Sequence, residues 1–497
     1  MKKVIIIGGG IAGLSAGVYA RRSGFDVTIL EQHTIPGGNS TSWKRDGYLF
    51  EGGLHWLVGS SAKAPLNRLW RETGALTSDT HIYNRDPFLT YLDGDQQICL
   101  YRDVNRLEQH LLSVSPQDTD SIRSLCKDIR KFNKMSMPVM DIKGVRVKHK
   151  SAPPLSMLFS MMSVMPRMKA LSKISTSEYV AQFKHSGIRI LLKNVVGSGE
   201  FAANSILFTL AGLSVGDAGY PKGGSLAMAQ RMADCFTGLG GKIQYKKRAE
   251  QVVTKNGVVT GVLVDGEELA TDAVIITADA LSAVEHLFAV PFHEAWADKM
   301  RSVTKPVLNT FLSFGVETDL SGLPENYLFP LDETIDFAGE QVSFLGINNY
   351  ANFEGYAPKG CTPLTSVLIA GNETYHYWEQ ARLDGTYTAK KQQLAEAVMD
   401  RLAKRFPQMQ GKFVTWDVAT PLTYERYCST YKGSWMTIME ANKPQANYPL
   451  KSESLSGLYF AGQRMQAPGG VPVAVSTGRS AVQHLCKDTD TIFECET

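Results

Sequence analysis

The sequence predicts an α/β chain: a parallel-sheet domain assembled from both ends of the chain and a stretch of its middle, carrying an inserted mixed α+β domain with a helical cap. Three observations carry that prediction. A short, apolar, β-branched run opens the chain and leads into three consecutive glycines and a helical pattern. Two turn dipeptides, Asn256-Gly257 and Asp265-Gly266, punctuate β-rich runs in the middle. An apolar run, a glycine-rich loop and a helical pattern close the chain.

Size and composition bound the reading. At 497 residues the chain exceeds one ordinary core, so two or three domains of roughly 100–200 residues are expected. Hydrophobic residues at 43% and charged residues at 20% exclude disordered and fibrous classes. A net charge of +3 on this length argues against a nucleic-acid partner, which calls for a concentrated basic face. The local basic stretch 143–150 reads as a solvated loop or as a membrane-surface contact. Seven scattered cysteines, with no CxxC, predict reduced thiols, no metal site and a cytoplasmic protein, peripheral on the inner face of the membrane if that contact forms. The opening mimics a signal peptide, but the glycine triplet breaks any apolar helix there. No apolar run reaches the ~18 residues that span a bilayer.

In order, residues 4–7 read as a strand buried on both faces, 11–23 as a helix ending before Gly24, and 27–30 as a second buried strand, together a βαβ unit. Residues 118–183 are read as mostly helical and hold eight of the 17 methionines. A helix is expected over 225–238, then strands over 250–254, 258–264, 268–270 and 273–277. Residues 303–372 are β-rich, 388–406 an amphipathic helix, 458–461 a buried strand and 473–486 the last helix. The partition that follows is discontinuous: 1–75, 215–280 and 421–497 form one domain, while 76–214 (helical) and 281–420 (β-rich) form the other.

Gly8-x-Gly10-x-x-Gly13, with Glu31 eighteen residues after Gly13 at the tip of the second strand, is the strongest chemical signal. In strand–turn–helix context, Gly8 serves the tight turn, Gly10 the approach of a pyrophosphate, and Gly13 helix–sheet packing, with the phosphates at the helix N-terminus beside Ile11 and Ala12. The Glu31 carboxylate accepts hydrogen bonds from ribose hydroxyls and repels a 2′-phosphate. By itself this fingerprint does not separate FAD from NAD.

The continuation Gln32 to Ser40, with Gly37-Gly38-Asn39-Ser40, and then Phe50-Glu51-Gly52-Gly53-Leu54-His55-Trp56, resembles the flavin-dependent phytoene desaturase, carotenoid isomerase and retinol saturase superfamily. Likeness extends over nearly the whole chain. Tyr220-Pro221-Lys222-Gly223-Gly224 is similar to that family's YPxGG turn, Ala419-Thr420-Pro421-Leu422-Thr423 to its ATPxT segment, and Gly457 to Gly462 with Pro468-Gly469-Gly470-Val471-Pro472 to its C-terminal FAD signature. The resemblance implies a Rossmann-like, glutathione-reductase-type FAD domain. It also implies FAD contacts from Gln32, Gly37, Gly38, Asn39, Ser40, Gly53, Leu54 and His55, from the backbone near Val252, and from Gly462, Gln463, Gly470, Val471 and Pro472. A helix N-terminus aimed at the flavin stabilises the negative charge of its reduced form. Asn39 stands where relatives often carry arginine, Gln463 where many carry an acid, and Gly53-Leu54-His55-Trp56 lies nearer the retinol saturase and isomerase branch.

His55 is the one catalytic candidate, read as an acid–base group or as a structural histidine. Trp43 and Trp56 are expected in the core or the pocket wall, and Glu200, Tyr220 and Tyr431 are candidates to face the substrate. The methionine-rich segment 153–168 is read either as an apolar channel wall that dips into a bilayer or as a buried cap. The expected activity is FAD-dependent hydride transfer to or from a hydrophobic, conjugated, carotenoid-, retinoid- or lipid-like small molecule, giving desaturation, saturation or isomerisation. Alternatives are an amine oxidase and a non-catalytic FAD-containing polyene carrier. With no second strand–GxGxxG–helix, electrons pass through the same pocket or through a quinone, oxygen or a protein partner; nothing in the sequence signals an oligomeric state.

Overall fold

The computed structural model describes residues 1–148, 155–371 and 373–495, with only the backbone described at 155–160 and 370. Five parallel strands form the first sheet, in the spatial order Leu458–Phe460, Ala273–Ile276, Lys3–Ile7, Asp26–Glu31 and Lys242–Tyr245. Alternation along the opening strand divides two cores. Val4 and Ile6 pack with the helices Ile11–Arg22, Gly224–Gly238 and Gly470–Asp488, while Ile5 and Ile7 pack with the antiparallel meander Ala249–Lys255, Val258–Val264 and Glu267–Ala270. Burial on both faces explains why this run is continuously apolar.

The first and last helices meet through their small residues. A Cβ on Gly478 would lie 2.4 Å from the Ala12 carbonyl oxygen, and the Ser15 hydroxyl donates to the Val475 carbonyl at 2.7 Å. This close crossing sets the two helix N-termini side by side.

The second sheet has eight strands, with the long antiparallel run Phe413–Ala419, Pro306–Val316, Thr362–Ala370, Glu340–Asn349 and Asn326–Phe337 continued by Leu89–Asp93 and Gln96–Leu100. Helices Glu373–Leu383 and Tyr387–Arg405 cover one face. A third layer, with Val104–Val114, Thr119–Phe132, Ser186–Asn194 and Asn204–Ser214, forms a cap with its own core.

The stretch 118–183, read as mostly helical, holds helices Thr119–Phe132, Leu155–Leu171 and Thr176–Val180, while residues 133–148, with Pro138 and Gly144, carry none. The described part of the basic stretch 143–150 is a largely exposed loop whose Arg146 and Lys148 charges are paired. Val147 bridges Phe493, Arg146 pairs with Asp490 at 2.8 Å and Lys148 with Glu494 at 3.1 Å; residues 149 and 150 lie outside the described residues. The predicted start of the methionine-rich segment at residue 153 also lies outside them. No described helix is long and apolar enough to cross a membrane.

Candidate functional site

One cavity of about 1470 Å³ runs between the two sheets and under the cap, larger than the roughly 300–1,000 Å³ of an ordinary small-ligand pocket. It has a glycine-rich end, a middle lined by residues from both chain ends, and an apolar arm.

At the glycine-rich end lie Gly8, Gly10, Ile11, Ala12, Glu31, Gln32, Gly37, Gly38, Asn39 and Ser40. Two of the motif glycines answer to different constraints. A Cβ on Gly13 would sit 1.9 Å from the Gly8 carbonyl oxygen, so the fold itself excludes one; accordingly Gly13 packs and does not line the cavity. A Cβ on Gly10 would meet nothing of the protein nearer than 3.7 Å, and its φ of −74° suits any residue. What Gly10 leaves open is the cavity side of the helix N-terminus, where backbone amides gather. Glu31 is fixed from both oxygens, one accepting from the Gly9 amide and the other from the His33 amide, each at 2.7 Å. Burial raises its pKa, and the bonds from the His33, Gly9 and Gln32 amides oppose that rise. Asn39 Oδ1 and Ser40 Oγ are buried without a hydrogen-bond partner among the described residues.

Two cofactor candidates, Gln32 and the backbone near Val252, have partners within the protein. Val252 is 2% exposed inside the meander core and its amide donates to the Leu287 carbonyl at 2.8 Å. The cavity wall takes the residues just before it, Lys247 to Glu250, while the Val252 side chain faces the meander core. The Gln32 side chain, although its residue lines the cavity, donates to the Tyr427 carbonyl at 2.7 Å and accepts from the Ser429 hydroxyl at 2.9 Å. It ties the strand tip to the segment after helix Pro421–Cys428.

Gly53, Leu54, His55 and Trp56 form the middle wall. Burial lowers the His55 pKa to about 4, with the Arg85 charge adding to the effect, so the imidazole is neutral near pH 7. Its ring lies 6.4 Å from those of Trp56 and Trp435. Opposite stand Gly462, Gln463 and Pro468 to Pro472. The Gln463 amide donates to the Trp435 carbonyl at 2.9 Å, and its oxygen accepts from the Gly470 amide at 3.3 Å, at the N-terminus of the last helix. Gly469 and Gly470 have φ of 84° and 73°, which glycine adopts without strain. A buried ion pair, Arg464 to Asp279 at 2.6 Å, braces this loop.

The arm is walled by Phe132, Met135, Met161, Met168, Phe201, Phe208, Met436 and Met439. Of the substrate candidates, Tyr220 is 1% exposed and bonded to Glu51, and Glu200 is at the surface, paired with Lys305 at 2.9 Å. Neither they nor Tyr431 line the cavity. Trp56 does; Trp43 stacks edge-on against Phe311 beside it. The helix Asn204–Ser214 was missed as an arm wall. Its core residues Ile206, Leu207 and Leu210 leave Asn204, Ser205, Phe208 and Thr209 on the cavity side, a helical alternation visible in the sequence only once the core face is known.

A family model described as flavin containing amine oxidoreductase matches residues 11–486. Among curated proteins, the chain is 24% identical to the prolycopene isomerase, chloroplastic, of Daucus carota, over 97% of this chain and 80% of that protein. It is also 24% identical to the phytoene desaturase (lycopene-forming) of Pseudescherichia vulneris, over 98% of this chain and 100% of that protein. Among solved structures, cyclohexylamine oxidase from Brevibacterium oxydans IH-35A superposes with a TM-score of 0.61 at 15% identity, covering 98% of this chain and 99% of that one. An oxidoreductase from Methanosarcina mazei gives 0.60 at 17%, covering 96% and 98%.

Proposed function

The chain belongs to the flavin containing amine oxidoreductase family and is an FAD-dependent oxidoreductase, and from that premise we propose that it desaturates, saturates or isomerises a carbon–carbon double bond of an elongated, apolar, conjugated substrate. The observation that carries this reading is the single cavity whose one end is a glycine and carboxylate cradle and whose other is an arm of methionine and phenylalanine.

Bound in the cradle, FAD supplies hydride exchange. Glu31, already oriented by two amides, holds the ribose of the adenosine. The amides at the start of helix Ile11–Arg22 and the loop Gly37 to Ser40 hold the pyrophosphate, and the unpartnered Asn39 Oδ1 and Ser40 Oγ fit a bound polar group there. The N-terminus of helix Gly470–Asp488, in the cavity wall, would offer backbone amides to the negative charge of a reduced flavin. Neutral His55, with Trp56 and Trp435, keeps that region dry.

An elongated apolar substrate suits the arm better than an amine. Among the described residues, the acids lining the cavity are Glu31 and Glu250 at the cradle, Asp217, which accepts from the Gly59 and Ser61 amides, and Asp279, paired with Arg464. The far arm has Lys134 and no carboxylate to receive an ammonium group. Peripheral membrane contact is part of the proposal. Phe208 and Val215 line the cavity yet are 41% and 46% exposed, and Met162 is 68% exposed on the helix whose Met161 and Met168 wall the arm.

The test is anaerobic incubation of the flavin-loaded protein, oxidised and reduced, with a panel of polyenes, read by mass spectrometry and chromatography. Loss or gain of two hydrogens, or a geometric isomer, is expected. Turnover of amines with peroxide release, and none of polyenes, overturns the reading.

A further inference from the structure

Behind the 52–55 turn lies a buried polar cluster outside the cavity. Glu51 ends the strand Tyr48–Glu51 and is 2% exposed. One of its oxygens accepts from the Gly53 and Leu54 amides at 2.9 and 3.0 Å. The other accepts from the Tyr220 hydroxyl at 2.7 Å and the Ser225 amide at 2.8 Å. Burial, and next the Glu51 charge, hold the Tyr220 phenol well above its ordinary pKa, so it stays protonated and donates; the Tyr356 hydroxyl, 2.6 Å away, donates to Tyr220 in turn. All four groups facing Glu51 are therefore donors, and a carboxylate, which only accepts, matches them. Beside the cluster, the Arg85 guanidinium lies 5.3, 5.6 and 5.2 Å from the ring centres of Tyr220, Tyr350 and Phe353 and pairs with Glu325 at 3.5 Å.

The turn is clamped from its other side too. A Cβ on Gly53 would meet the Asn39 carbonyl oxygen at 2.6 Å and the Ser225 hydroxyl at 2.9 Å. The Gly53 and Leu54 amides thus belong to Glu51, and what the turn can offer a ligand is the position of His55 and Trp56.

We propose that Glu51 is a positioning residue for the cofactor: by gathering the Gly53, Leu54 and Ser225 amides and the Tyr220 hydroxyl on one carboxylate, it locks the 52–55 turn against the flavin end of the cavity. This rests on the FAD reading of that cavity. Glu51→Gln keeps the volume but turns the NH2 of its carboxamide toward donors, which leaves at least one of them unmatched.

Hydrogen exchange at Gly53 and Leu54 is measured in the apoprotein, and FAD affinity and the visible circular dichroism of the bound flavin in the loaded protein. In Glu51→Gln, exchange at the two amides rises about tenfold or more, FAD binds about tenfold more weakly, and the flavin dichroism changes. Glu51→Asp, which keeps the charge one methylene short, recovers part of each, and Tyr220→Phe, which removes one donor, changes each in the same direction by less. If Glu51→Gln does not fold, Tyr220→Phe decides. Wild-type exchange and wild-type dichroism in whichever variant folds overturn the proposal. A protein that takes up no FAD overturns the cofactor reading instead, while the apoprotein exchange still reports on the carboxylate.

Discussion

The cradle and the arm are two ends of one cavity, built by opposite means. The cradle is mostly local: Gly8 to Ala12, Glu31 and Gly37 to Ser40 lie within the first forty residues, with Lys247 to Glu250 added to the wall, and the early residues are held by backbone geometry or by main-chain hydrogen bonds. The arm is assembled from far-apart segments, with Phe132, Met168, Phe208 and Met439 brought together by packing. A cradle of this kind fixes one ligand by direction, whereas flexible apolar side chains select by length and greasiness. Substitutions at the first end should therefore act all-or-none, and those at the second gradually.

The largest effect is expected just behind the cradle, where Gly13 packs against its floor. Gly13→Ala drives a Cβ to 1.9 Å from the Gly8 oxygen, a backbone clash that costs more than about 3 kcal/mol, and thermal denaturation should show a protein largely unfolded or strongly destabilised. Gly10→Ala sharpens the distinction: with no protein atom within 3.7 Å of the new Cβ, the melting temperature should barely change while FAD affinity falls roughly 10–100-fold. Equal loss of stability in both variants would mean that Gly10 serves packing and not a ligand.

In the arm, Phe208→Ala removes one aromatic wall and should weaken polyene binding by about 5–30-fold, on the scale of one partly buried phenylalanine, with FAD affinity unchanged. The smallest effect lies between the two ends. His55 has its pKa depressed from the ordinary value to about 4, so the unfolded chain binds more protons than the folded one between those pH values. Its contribution to stability is fully present above about pH 6.5 and is lost as pH falls toward 4. Denaturant titrations should show a slope in that window that is flatter in His55→Gln. An unchanged slope would place the imidazole in water.

What could be read from the sequence follows the same division. The βαβ unit, the meander and the last strand–loop–helix announce themselves through apolar runs, glycines and turn dipeptides, because their geometry depends on neighbours in the chain. Around Val252 the sequence marks the strand but not the residue, Glu250, at which it leaves the cavity wall. Tyr220 and Glu200, polar residues expected to face a substrate, prove to serve a buried carboxylate and a surface lysine, partnerships across 169 and 105 residues of chain. Glu51 is legible only in part: two of its four donors, Gly53 and Leu54, are chain neighbours, while Tyr220 and Ser225 lie 169 and 174 residues away.

That both ends serve one reaction is tested most directly by titrating the flavin-loaded protein anaerobically with a long polyene while recording the flavin visible spectrum. A saturable perturbation of the flavin bands, one polyene per flavin and weakened in Phe208→Ala, is the predicted result. A polyene that binds and leaves the flavin spectrum unmoved would contradict it.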